Sequence, residues 1–122
     1  MNRTASLLTA LGASLTLAAC GGDAAEDVAV RNAVSFLAST DGDPGVFVEG
    51  RQIVVNYAQR PRSFAVQVRR AALEATNATN GKRVMLYVVD SVETPAAVPA
   101  DGQYYCRLQA FEGAIAESTC WR

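Results

Sequence analysis

The stretch that most narrows the fold is an uninterrupted apolar run, Val84-Met85-Leu86-Tyr87-Val88-Val89, bounded by Arg83 and Asp90. A short run of this kind suits a strand buried on both faces, hence one central in its sheet. The segment before it, "RPRSFAVQVRRAALEATNATNG", reads as a helix. Ser63 stands where an N-cap would, and Gly81 stands just past the end, as a left-handed C′ glycine would. Phe64, Val68, Ala71, Ala72 and Ala75 share one helical face, and Val66 and Leu73 lie nearly opposite. "SFAVQV" also alternates as a strand does, which leaves the first turn open between the two. Upstream, "VFVEGRQIVVNY" holds two β-rich runs around Glu49-Gly50, the composition of a tight hairpin. Strand, helix, strand from Ile53 to Val89 then makes one parallel crossover unit, right-handed by the general rule.

The remaining segments extend that unit. Glu112-Gly113 repeats the turn dipeptide between "YYCRLQAF" and "AIAESTCW" and predicts a second hairpin, although two residues are too few to call a repeat. "STDGDPG" is a break, since Asp41-Gly42-Asp43-Pro44-Gly45 all favour turns and no later carboxylates follow at calcium-loop spacing. "DAAEDVAVRNAVSFLAS" predicts a helix over Ala24–Ala38, with Asp23 and Glu26 at capping-box spacing and Val30, Val34 and Leu37 on one face. A linker is the alternative there. Pro95 and Pro99 hold "ETPAAVPADG" extended. The sum is an α+β fold, a small mixed sheet of about five strands with one or two helices packed mainly on one face. Alanine buries little area, so the core is expected to rest on Val46, Phe47, Val48, Ile53, Val54, Val55, Tyr57, Phe64, Leu73, Val84, Met85, Leu86, Val88, Val89, Leu108 and Phe111.

The first residues are of a different kind. "MNRTASLLTALGASLTLAAC" has a basic start at Arg3 and no charge from Ala5 to Leu17. That is the layout of a secretory signal, and it is short of the about 20 apolar residues that a membrane span needs. Leu17-Ala18-Ala19-Cys20 resembles the lipobox of bacterial lipoproteins. The resemblance implies that residues 1–19 are a leader removed before Cys20, and that Cys20 is lipidated on sulfur and acylated on its new amine. Residues 20–23 would be the tether and residues 24–122 one small domain. The membrane is then a partner through the anchor. Gly21, rather than an Asp, follows the cysteine, which favours the outer membrane in lipoproteins of this kind.

With Cys20 taken by the lipid, two cysteines remain, Cys106 and Cys120. In an exported chain an even pair reads as a disulfide, and a loop of about 15 residues would contribute roughly 3 kcal/mol. A reactive or metal-binding pair is the alternative, with no histidine in the chain to join it. The charges, 11 basic against 12 acidic with Arg3 among the former, leave a near-neutral body. No clustered basic surface of the kind nucleic acid demands is expected.

A chain without histidine cannot build a Ser-His-Asp or Cys-His arrangement. Glu49, Asp90, Glu93, Glu112 and Glu117 could supply an acid pair, but their spacing selects none. No cofactor or metal is implied. Two groups invite a binding role. Arg60, Arg62, Arg69 and Arg70 gather around the start and outer face of the second helix, and could dock anionic headgroups, cell-wall carboxylates or an acidic partner. Tyr104, Tyr105 and Trp121 bracket the cysteines and could form a recognition surface. The plain alternatives are a solvated helix face for the first and packing against the disulfide for the second. The sequence therefore predicts a membrane-anchored periplasmic protein with a non-catalytic binding or envelope-structural role. An inhibitor of a cell-wall hydrolase is the second reading. Small periplasmic lysozyme inhibitors are similar in being tethered and disulfide-bonded, but they are mostly β-barrels, and the helix over Ser63–Asn80 departs from them. A carboxylate-based envelope enzyme is the third.

Overall fold

The computed structural model describes residues 25–90 and 97–120. Helix α1 (residues 25–34) runs into a 3-10 turn, Ser35–Ser39. Strands β1 (Gly45–Glu49) and β2 (Gln52–Asn56) form a hairpin, and α2 (Phe64–Ala78) crosses to β3 (Val84–Val89). Strands β4 (Cys106–Phe111) and β5 (Ala114–Ser118) complete one five-stranded sheet in the order β1-β2-β3-β4-β5. Only β2 and β3 are parallel, with Gln52 beside Met85 and Asn56 beside Val89. The other three pairings are antiparallel. The α+β reading with a mixed sheet is the observed fold, and Val84–Val89 is its central strand.

The core lies on one face of the sheet. Ile53 and Val55 of β2, Val84, Leu86 and Val88 of β3, and Cys106, Leu108 and Ala110 of β4 alternate onto it. Both helices cover that face: Val30 and Val34 from α1, Leu37 from the 3-10 turn, and Val68, Ala71, Ala72 and Ala75 from α2. The alanines leave no gap for a larger side chain, so α2 approaches the strands closely. On the second face the register aligns Phe47, Val54, Tyr87 and Arg107 in one row. Phe111, expected in the core, is instead 40 % exposed at the end of β4, because its position in the alternation falls on the second face beyond Gln109.

Several local expectations are revised. The Glu26 carboxylate accepts from Lys82 Nζ at 2.9 Å and faces Arg51 Nε at 3.5 Å, contacts that capping-box spacing does not foretell. Asp23 lies outside the described residues. Ser63 makes no cap bond to the backbone, because its hydroxyl accepts from Gln67 Nε2 at 2.9 Å. The left-handed C′ residue of α2 is Asn80 (φ 59°), with Gly81 (φ 84°) one step later. Gly81 N–H donates to Thr76 carbonyl at 2.7 Å and Asn80 N–H to Asn77 carbonyl at 3.4 Å, the paired bonds of a Schellman motif. The two Glu-Gly dipeptides also sit differently. Glu49 pairs with Gln52, so Gly50-Arg51 form the first turn with positive φ at Gly50 alone, as type II′ requires. In the second turn Glu112 (φ 53°) and Gly113 (φ 77°) are both left-handed, as type I′ requires.

The register defines two ends of the sheet. One end holds the Gly50-Arg51 turn, Lys82-Arg83, the Glu112-Gly113 turn and the start of α1, where Asp27 accepts from Gly50 N–H. The other end holds Tyr57, Asp90, the start of α2 and the cysteine pair. Cys106 and Cys120 are bonded, with Cα atoms 4.6 Å apart and both residues buried. No helix among the described residues is long and apolar enough to cross a membrane.

Candidate binding surface

At the end where the parallel strands finish, the chain leaves β2 and β3 side by side. Tyr57 N–H still donates to Val89 carbonyl at 3.1 Å, and Tyr105 N–H to Val88 carbonyl at 2.7 Å. This places the loop before α2 against Asp90 and Tyr105. The Arg60 guanidinium bonds both oxygens of the Asp90 carboxylate. It stacks 3.5 Å from the Tyr105 ring centroid and 5.6 Å from that of Phe64. Phe64 in turn meets Tyr57 and Tyr105 edge-on, with centroids 6.1 and 5.9 Å apart. The Asp90 hydrogen bond raises the Arg60 pKa above the ordinary arginine range, so its charge is permanent. A cavity of about 500 Å³ opens here, lined by Arg60, Pro61, Arg62, Phe64, Asp90 and Tyr105.

The four arginines separate into two kinds. Arg60 is occupied as described. Arg70 bonds Glu74 at 2.6 Å and lies 3.9 Å over the Phe36 ring, tying α2 to the 3-10 turn. Arg62 and Arg69 are exposed and have no ion-pair partner among the described residues. Val66, between them on the outer face of α2, is 71 % exposed. Val66 and Arg69 are three residues apart on α2 and so are neighbours on its surface, while Arg62 stands in the turn just before the helix.

Tyr104 and Tyr105 part company. Tyr104 packs edge-on to Tyr87 on the second face, with centroids 5.3 Å apart, while Tyr105 faces Arg60 and is 49 % exposed. Adjacent residues entering a strand point to opposite sides, which divides the pair. Trp121 and Cys20 lie outside the described residues, as does Glu93. The acids considered for catalysis are also dispersed. Asp90 is bound to Arg60, and Glu117 faces Arg107 at 3.2 Å. Glu112 is a turn residue at the opposite end, and Glu49 lines a separate open cavity of about 720 Å³ with Glu26, Asp27, Arg51 and Arg83. No three potential metal ligands come together among the described residues.

Sequence reasoning missed Asp90 and Phe64 as the partners of Arg60. The parallel pairing of β2 and β3 carried a signal for Asp90, since residues just beyond two parallel strands emerge at one end. The i,i+4 spacing of Arg70 and Glu74 on the predicted helix carried a signal for that pair, whereas nothing comparable marked Arg62 and Arg69 as without an ion-pair partner among the described residues. No protein-family profile, no curated protein and no solved structure matches this chain.

Proposed function

We propose that this protein is a lipid-anchored envelope protein that acts by binding, through the outer face of α2 and the adjoining Tyr105 edge. The observation that carries the reading is Leu17-Ala18-Ala19-Cys20 at the end of an uncharged apolar leader. The Cys106–Cys120 bridge supports it, because a disulfide persists in an oxidising compartment. The binding surface is supported by Arg62 and Arg69, exposed cations with no ion-pair partner among the described residues, by exposed Val66 on α2, and by exposed Tyr105 against Arg60 near the start of that helix. Such a mixture of arginine, tyrosine and a small apolar centre suits an acidic protein segment.

Intact-mass analysis of protein isolated from membranes tests the anchor. The expected mass lacks residues 1–19 and carries acyl chains at Cys20. A full-length chain with a free thiol there overturns the reading. The binding role is tested by crosslinking from a photoreactive residue at Val66 in envelopes. A discrete adduct that is lost on Arg62→Ser with Arg69→Ser supports it. Turnover of a cell-wall substrate by the purified protein, without such an adduct, replaces it with an enzymatic role.

A further inference from the structure

We infer that the end of the sheet formed by the Gly50-Arg51 turn, Lys82-Arg83 and the Glu112-Gly113 turn is the face that rests on the bilayer. The opposite end, with Arg60, Asp90 and Tyr105, is directed away from it. The inference rests on lipidation of Cys20, as proposed above.

The tether decides the geometry. Helix α1 is described from residue 25, and three contacts fix its first described turn to this end of the sheet: Glu26 to Lys82, Glu26 to Arg51, and Asp27 to Gly50 N–H. Cys20 is only five residues upstream, a reach of at most about 18 Å even fully extended. Strand β3 alone is about 20 Å long, and the loops at its two ends lengthen the body further. An inverted domain, with Tyr105 at the headgroups, would need a longer tether than the chain has. The domain therefore stands with its α1 start down.

The surface at that end fits an interface between lipid and water. Phe111 is 40 % exposed there, with the Arg83 guanidinium 5.1 Å from its ring centroid. An exposed aromatic capped by a cation matches the headgroup region, where ring and charge are both accommodated. Glu26 meets both Arg51 and Lys82, Asp27 pairs with Arg31, Arg83 lies over Phe111, and Glu49 and Glu112 stand exposed at the same end. The signs nearly balance. The tether and the aromatic edge, not net attraction to anionic lipid, set the orientation, so added salt leaves it unchanged.

The test uses the full lipidated chain in phospholipid vesicles carrying a dansyl headgroup label. In a Trp121→Phe background, single tryptophans are placed by Phe111→Trp, Gln52→Trp or Tyr105→Trp, and energy transfer to the label is measured. Transfer from positions 111 and 52 is expected to exceed that from 105 several-fold, at low and high salt alike. Two positions at the near end guard against one variant misfolding. Equal transfer from all three, or greater transfer from 105, overturns the orientation while an acylated Cys20 in the same sample leaves the anchor standing. An unacylated Cys20 overturns both.

Discussion

Tyr57 shows how much one side chain can hold. It is fully buried beneath Phe64, and its hydroxyl donates to Gln67 Oε1 at 2.6 Å, while Gln67 Nε2 reaches Ser63. Burial disfavours the phenolate and pushes its pKa up to about 12. The native state therefore holds this proton more tightly than the unfolded chain, whose tyrosine titrates near 10. The stabilisation is complete below about pH 10 and is lost as pH rises toward 12, on the order of 2–3 kcal/mol in all. Denaturant unfolding of wild type across that window should show the decline, and Tyr57→Phe should flatten it while costing about 1 kcal/mol at neutral pH for the lost bond. An equal alkaline decline in both proteins would place the effect elsewhere. Gly42 makes a second case at this scale. Its φ is +89°, and a Cβ there would lie 2.7 Å from Pro61 Cδ and 3.0 Å from the Tyr57 ring. Gly50 and Gly102 also have positive φ but nothing within 4 Å. Gly42→Ala should thus destabilise more than Gly50→Ala by roughly 1–3 kcal/mol of overpacking, measured by chemical denaturation.

The elements dock through their ends. The C-terminus of α2 and the β4–β5 turn form one unit, in which Glu112 N–H donates to Gly81 carbonyl at 2.9 Å and Gly113 N–H to the hydroxyl of buried Thr76 at 3.1 Å. Thr76→Val keeps the volume but removes the acceptor, and is expected to cost about 1 kcal/mol. Asn80→Ala strains a left-handed residue and is expected to cost about 1–2 kcal/mol. Hydrogen exchange of Glu112 and Gly113 amides distinguishes the two: Thr76→Val should expose Gly113 first. This joint explains what was and was not legible. The strands and α2 could be read because apolar spacing reports a buried face directly. Ser63 is the N-cap residue as read, but its hydroxyl is taken by Gln67 instead of the backbone, and the left-handed C′ position falls on Asn80, one residue before Gly81; residue type alone does not choose between such neighbouring alternatives. The two Glu-Gly turns differ by one residue in phase, because strand register, not the dipeptide, chooses which residues occupy the turn.

Across the whole molecule, the sheet order follows chain order, so the topology could be built from neighbouring segments alone. The binding surface could not, since Arg60 finds Asp90 and Tyr105 in segments distant along the chain. The cysteine pair belongs to both categories: it was legible, and its consequence is global only if β5 needs it. Strand β5 is an edge with mostly exposed residues, and its register to β4 shifts at Gln109/Ala110. Apart from Ile115 it contributes little to the core. Its far end is held by Thr119, which bonds Arg107 through both N–H and hydroxyl, and by the bridge from Cys120 to Cys106. Replacing both cysteines by alanine removes a cross-link over 14 residues of sequence, a loss of roughly 3 kcal/mol by the chain-entropy argument. For a domain of this size that lowers the melting temperature by about 10–20 °C. If the bridge chiefly retains the edge, amide exchange in Ala114–Ser118 should quicken far more than in β3, because β2, β3, β4 and α2 close the core without it. Uniform quickening across the sheet would instead make the bridge a fastening of the entire fold.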